Sequence, residues 1–256
     1  LTSTLTYSYD ERDNVEFVER SASTAGGEIA RTHFAYDTLD RLIQQSEEPT
    51  PGVIEVTTEY EYDTLNRLVR ESVGPDWNGR TLTTTFDYDD NGNLEQVILP
   101  LEDGQPYYER ETRYLYDNLN RLTTIIYPKV DDGGPLLVTP VYEYEYDARS
   151  RLVAETDARD YVTAYAYDER DRLTTVTLPD PDGVSGGQAS PVYQYGYDVA
   201  SNLTSILDPL LRQTTYQYDD FNQVVVTTWP DPDGPTGSGG ANLDAPTMTY
   251  LRDGLG

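Results

Sequence analysis

Tyr60-Glu61-Tyr62-Asp63-Thr64-Leu65-Asn66-Arg67-Leu68 decides the fold. Tyr60 and Tyr62 stand two apart, so in an extended strand both rings point to one face and Glu61 to the other. Asp63 then stops the strand, because Asp is favoured at the first position of a type I turn, where its carboxylate accepts a backbone N–H. Three residues on, a three-residue hairpin loop closing on a bulge needs a residue that tolerates positive φ, and Asn66 supplies it. Leu68 resumes the strand. The stretch therefore spells strand, tight turn, strand.

The pattern, aromatic-x-Tyr-Asp-x-x-(turn residue)-(Arg/Asn/Gln)-(Leu/Val), recurs nine times, with its Asp at Asp10, Asp37, Asp63, Asp89, Asp117, Asp147, Asp168, Asp198 and Asp219. A tenth copy starts at Tyr250 with Asp253 in register, which suggests a segment of a longer protein. Successive Asp positions lie 21 to 34 residues apart, the spacing of a repeat array. The column expected at positive φ reads Asp13, Asp40, Asn66, Gly92, Asn120, Ser150, Asp171, Ser201 and Asn222, with no β-branched or aromatic member. The nine aromatic pairs hold 18 of the 27 Tyr and Phe residues, so the repeat governs aromatic placement. Equivalent rings are expected to form a ladder that serves as the core.

The return turns divide into short ones (Asp157-Ala158-Arg159-Asp160 and Asp208-Pro209-Leu210-Leu211-Arg212) and long loops rich in Pro, Asp and Gly. The long class includes Gly74-Pro75-Asp76-Trp77-Asn78-Gly79, Asp131-Asp132-Gly133-Gly134, Pro179-Asp180-Pro181-Asp182-Gly183 and Pro230-Asp231-Pro232-Asp233-Gly234. Thr- and Ile-rich runs favour strands, and no stretch carries a 3.6-residue apolar period. The expectation is an all-β chain of tandem antiparallel β-hairpin repeats. It forms one array over residues 1–256, a long strip with almost no helix and no separate catalytic domain. Each hairpin buries its face only against neighbours, so stability should sum nearest-neighbour terms.

The net charge is −28, which disfavours nucleic acid and anionic membrane surfaces as partners and favours cations or basic surfaces. The 23 Tyr and the strand periodicity argue against a disordered acidic chain. Without cysteine there is no disulfide, thiol nucleophile or thiolate metal site. No run of about 18 apolar residues spans a membrane.

Catalytic constellations are not legible. His33, the single histidine, precedes Phe34 and reads as a strand surface residue. No serine sits in a G-x-S-x-G elbow, and neither a P-loop nor a dinucleotide fingerprint occurs. The ligand signal is calcium, a hard cation that takes carboxylate and carbonyl oxygens from loops. Its candidate ligands are Asp131, Asp132, Asp180, Asp182, Asp231 and Asp233, set beside Gly or Pro in the return turns. None matches an EF-hand loop, and Pro-Asp-Gly is also ordinary turn chemistry. Asn202-Leu203-Thr204 is a glycosylation sequon by pattern, in a slot that elsewhere holds Arg. Trp77 and Trp229 lie in or beside long loops, where a ring can stack on sugar or cover a turn.

The nine copies resemble the YD repeat of RHS/YD-repeat proteins, the family of bacterial toxin shells and the teneurin barrel. The resemblance covers essentially the whole chain and is most complete at 60–68, 114–122, 144–152 and 165–173. Arg is kept at Arg41, Arg67, Arg121, Arg151 and Arg172, and gives way to Asn14, Asn93, Asn202 and Gln223. The turn Gly of the family stands only at Gly92 and Gly256. The resemblance implies a hairpin strip that spirals into a hollow shell, enclosing cargo in the toxin relatives. No segment resembles their self-cleaving motif or an effector domain. The reading that follows is a non-enzymatic, extracellular or cell-surface scaffold whose partners are neighbouring repeats or identical chains. The alternatives are a fibre-forming matrix protein stabilised by divalent cations and an adhesion or glycan-binding module.

Asn66→Val and Asn120→Val are each expected to destabilise by about 1–2 kcal/mol in chemical denaturation, since a β-branched residue is strained at positive φ. Ala at solvent-facing Glu61 should be near neutral, and equal effects at all three positions would contradict the hairpin register.

Overall fold

The computed structural model describes residues 3–22, 29–48, 56–76, 79–100, 110–129, 138–183, 186–230 and 246–250. It divides into two compact units, Leu1–Pro140 and Val141–Gly256. The first begins with β1 (Ser3–Tyr9), β2 (Val15–Ala22), β3 (Ile29–Tyr36), β4 (Leu42–Glu48) and β5 (Thr57–Tyr62). It continues with β6 (Leu68–Gly74), β7 (Leu82–Tyr88), β8 (Leu94–Ile98), β9 (Glu111–Tyr116) and β10 (Leu122–Ile126). The second opens with β11 (Val141–Tyr146), β12 (Leu152–Thr156), β13 (Val162–Tyr167), β14 (Leu173–Thr177) and β15 (Val192–Tyr197). It ends with β16 (Leu203–Leu207), β17 (Gln213–Tyr218), β18 (Val224–Thr228) and β19 (Thr247–Thr249). Within each unit the strands pair antiparallel with their chain neighbours, and no helix occurs among the described residues.

Every signature closes a hairpin with one set of bonds. Asp63 N–H donates to Arg67 O at 2.9 Å and Asn66 N–H to Asp63 O at 3.1 Å, and the other eight copies repeat both bonds. The expected positive-φ column is found in all nine copies, from Asp13 at 64° and Asn66 at 65° to Gly92 at 89° and Asn222 at 60°. Beyond the turn, Tyr62 faces Leu68 while Glu61 faces Arg70, so Val69 has no residue opposite it and bulges. Val153, Thr174, Thr204 and Val225 occupy the same place in their hairpins. Such bulges increase local twist. They had no residue-type marker in the sequence, because ordinary strand formers fill the slot.

Two expectations are corrected. The Asp76 return turn is more than a long loop: Asp76 N–H donates to Arg80 O and Gly79 N–H to Asp76 O, both at 2.8 Å. This is the signature turn without its tyrosines, and Asp157 and Asp208 build it too. The structural unit is therefore the Asp turn itself, wherever a positive-φ residue follows three positions on. The aromatic ladder, moreover, is not a core. Among the described residues no hydrophobic side chain is buried, and the residues that are buried are Arg110, Thr112 and Thr227. From Phe34 onward the signature rings are half-covered. Strands that pair only side by side shield a ring from its flanks and leave its outer surface uncovered.

Asp160, Leu211 and Gly79 take the positive-φ position in the return turns, at 63°, 60° and 76°. Leu211 is the misfit, since a branched side chain gains nothing locally from this conformation while Asn tolerates it. Leu211→Asn should raise unfolding stability by about 1 kcal/mol. A decrease in the denaturation midpoint would contradict the turn.

Candidate functional site

The residues that recur most strictly converge on one edge of the hairpins and bond from repeat to repeat. Each signature Asp first organises its own turn. Asp63 Oδ1 accepts the N–H groups of Leu65 and Arg67 at 2.8 and 2.9 Å, and its Oδ2 accepts Arg67 Nε at 2.7 Å. Asp37, Asp117, Asp147 and Asp168 hold Arg41, Arg121, Arg151 and Arg172 in the same way. Where the sequence has Asn, the amide does the work of the guanidinium. Asn93 Nδ2 donates to Asp89 Oδ2 and Asn202 Nδ2 to Asp198 Oδ2, both at 2.9 Å.

The same side chain then crosses to the next repeat. Arg151 donates to Asp168 O at 3.1 Å and Asp171 Oδ1 at 2.7 Å, and Arg172 to Asp198 O at 2.8 Å. Arg41 reaches Asn66 Oδ1 at 2.7 Å. The shorter Asn residues reach the turn residue alone: Asn14 to Asp40, Asn93 to Asn120 and Asn202 to Asn222, at 2.9, 3.0 and 2.8 Å. The positive-φ column thus does two jobs, since Asn, Asp and Ser accept this bond while tolerating the backbone. That second job explains why so few copies carry Gly.

Tyrosine completes the joint. The hydroxyls of Tyr62, Tyr88, Tyr116, Tyr167, Tyr197 and Tyr218 donate to carbonyls of the preceding repeat (Leu42, Leu68, Leu94, Leu152, Leu173 and Leu203) at 2.8–2.9 Å. The guanidinium carbons of Arg41, Arg67, Arg151 and Arg172 lie 4.5–4.8 Å from the ring centroids of Tyr62, Tyr88, Tyr167 and Tyr197. A net hydrogen bond contributes about 1 kcal/mol and an exposed cation–π contact about 0.5–1 kcal/mol, so each joint is modest and the array sums them.

The turn carboxylates carry an electrostatic consequence. Asp10, Asp37, Asp63, Asp89, Asp117, Asp147, Asp168 and Asp198 are all held below the ordinary value of 3.8. In six of them the side chain four residues on is the largest cause; in Asp10 and Asp63 it is that residue's backbone N–H.

Two of the six expected ligand residues, Asp180 and Asp182, fall among the described residues. Asp131, Asp132, Asp231 and Asp233 lie outside the described residues, as does Trp77. Asp180 and Asp182 are occupied within their own loop: Asp180 Oδ1 accepts Asp182 N–H at 3.2 Å, and Asp182 Oδ2 accepts the N–H groups of Gly187 and Gln188 at 2.9 and 3.2 Å. A Cβ at Gly186 would stand 2.0 Å from Asp182 Cγ, so glycine there lets the chain wrap the carboxylate. Among the described residues no three acidic or histidine side chains are placed to share a metal ion. His33 lies in β3 with its ring 5.7 Å from Phe17, over whose ring the Arg31 guanidinium also stands at 5.0 Å. The Asn202 amide is bonded on both sides, which accounts for the sequon as a joint residue.

Residues 141–184 and 197–236 match the family model described as RHS Repeat. These two segments carry RHS repeats. The matched segments contain the Asp147, Asp168, Asp198 and Asp219 turns, so the joint just described is a feature of RHS repeats in this chain. Three solved structures share the fold. TcdB2-TccC3-Cdc42 is 16% identical with a TM-score of 0.54, covering 98% of this chain and 14% of that one. TcdB2-TccC3 is 16% identical at 0.52, covering 97% and 16%, and its form without the hypervariable C-terminal region is 15% identical at 0.50, covering 88% and 14%. The chain thus spans about a seventh of the structures it matches. No curated protein matches it in sequence.

Acid should dismantle the joints. A carboxylate whose folded pKa lies below its unfolded value contributes stability that is present above the unfolded pKa and lost as pH falls through the folded one. The opposing effect, relief of self-repulsion in a chain of net charge −28, acts between neutral pH and that point. The melting temperature should therefore hold or rise from pH 7 to about 4 and fall steeply below 3.8. A melting temperature that drops mainly between pH 7 and 5 would contradict this assignment.

Proposed function

We propose that this chain is a non-enzymatic, extracellular structural scaffold, one continuous RHS-repeat array that forms part of a β-shell or strip. The observation that carries the reading is the destination of the recurrent polar groups. The signature Asp, the Arg or Asn four residues on, the tyrosine hydroxyl and the turn residue bond within their repeat or to the next. Side chains engaged in this way hold a length of sheet together; they are not presented to a substrate. The likeness of fold to TcdB2-TccC3 supports a scaffold within a larger assembly. The partners in this reading are neighbouring repeats or identical chains, with a cargo where the strip encloses one. Calcium at the Pro-Asp loops belongs to the same proposal, as a means of screening a chain of net charge −28.

Electron microscopy of the native protein, with and without EGTA, tests this. Discrete hollow particles are the expected result, and fraying in EGTA would assign the acidic loops to calcium. Continuous fibres would replace the shell by a fibre-forming matrix protein. Dispersed globular monomers would overturn both.

A further inference from the structure

Charge is distributed unevenly over the faces of the two units. Directly paired residues of an antiparallel ladder share a face, so the register sorts every strand residue into the tyrosine face or the opposite one. In the first unit the opposite face is studded with charge. Glu19, Arg31, Glu59, Glu61, Arg70 and Asp87 all lie on it, and Arg31 pairs with Glu19 at 2.6 Å and Arg70 with Glu61 at 3.0 Å. This is how a solvated sheet face reads.

The second unit differs. Glu143 and Glu145 on β11 mark a border, and beyond them every registered position on that face from β12 to β19 is uncharged. The occupants are Ala, Val, Leu, Thr, Ser, Gln and Gly, in a chain in which 25% of residues are charged. It has no aromatic ring and no projecting side chain longer than Gln. Val162 is 46% exposed, and Ala164, Ala166, Gln194 and Gln217 are exposed beside it. Gly196 is part of this surface, where a Cβ would meet Ser205 Oγ at 2.4 Å. Eight strands about 4.8 Å apart and some five residues deep make a surface of roughly 34 by 15 Å, on the order of 500 Å². On an acidic protein, a neutral face of that size lacks the charge that would repel a second acidic surface.

We infer that this face docks against the same face of a second copy of the chain. Charge selects the occupant. A basic partner gains no ion pair here and would seek the carboxylate-rich turns, and a nucleic acid or acidic protein is repelled by the molecule as a whole. Two copies can approach at this face without opposing like charges. Shape selects it too. A surface of short side chains repeated on eight twisted strands offers little relief to grip, so continuous contact needs a second sheet with the same strand spacing and twist. A copy has both by construction, and aligned sheets pack face to face at about 10 Å. The area is below the ~800 Å² per partner of a standard interface, which places the dimer in the weak, reversible range.

Sedimentation velocity of the 256-residue chain tests the inference. A reversible dimer should appear between ~1 and ~100 µM. Its fraction should rise from ~0.02 to ~0.5 M NaCl as salt screens the charge of the two copies. Ala164→Glu with Ala166→Glu, and separately Gln217→Glu, should weaken dimerisation at least ~10-fold with an unchanged far-UV circular dichroism spectrum. Val199→Glu adds the same charge at a turn tip that is 89% exposed and should leave dimerisation unchanged. A chain that stays monomeric at every concentration and salt level overturns the proposal. A dimer weakened equally by Val199→Glu and the face variants overturns the choice of face.

Discussion

The structure depends on a carboxylate that serves two neighbours at once. At the end of the signature strands an Asp folds its own turn with one oxygen and clamps the Arg or Asn four residues on with the other. That clamped side chain is then aimed at the next repeat. Without the clamp, a long side chain on an exposed edge would lose several rotatable bonds for one surface contact, a poor exchange. With it, the cost is shared by the turn, the joint and the ring stack.

This arrangement explains the basic residues. Lys129 is the single lysine among 18 basic residues. In the signature slot one guanidinium meets its own Asp, a carbonyl and a side chain of the next turn, and the face of a tyrosine. An ammonium has neither the fork nor the planar surface to do this. Asn can replace Arg because its amide spans the gap between Asp and the next turn residue, at the loss of the ring stack. The replacement is conservative in hydrogen bonding though not in size.

A fold held by joints has no need of a buried hydrophobic centre, and among the described residues none is found. The half-covered rings also clarify the error in expecting a core from aromatic content. Periodicity shows which residues share a face, but the covering of that face is a matter of what lies above it. The return turns taught a related lesson. Asp76, Asp157 and Asp208 use the signature turn without its tyrosines, and Leu211 holds a positive φ that its residue type does not advertise. Backbone hydrogen bonding, not residue preference, fixes those positions.

The sequence by itself determined the hairpins, the turn geometry and the left-handed column of the signatures, because each follows from contacts within nine consecutive residues. It also determined that no catalytic constellation is legible. The tertiary structure alone decided that Arg, Asn and Tyr act between repeats, that Asp182 closes its own loop and that one face of β12–β19 carries no charge at its registered positions. The joints described above link residues 15 to 27 positions apart, the neutral face sums over eight strands, and Asp182 depends on the chain folding back five and six residues on. A linear pattern names the donors and acceptors, but strand pairing decides which of them meet.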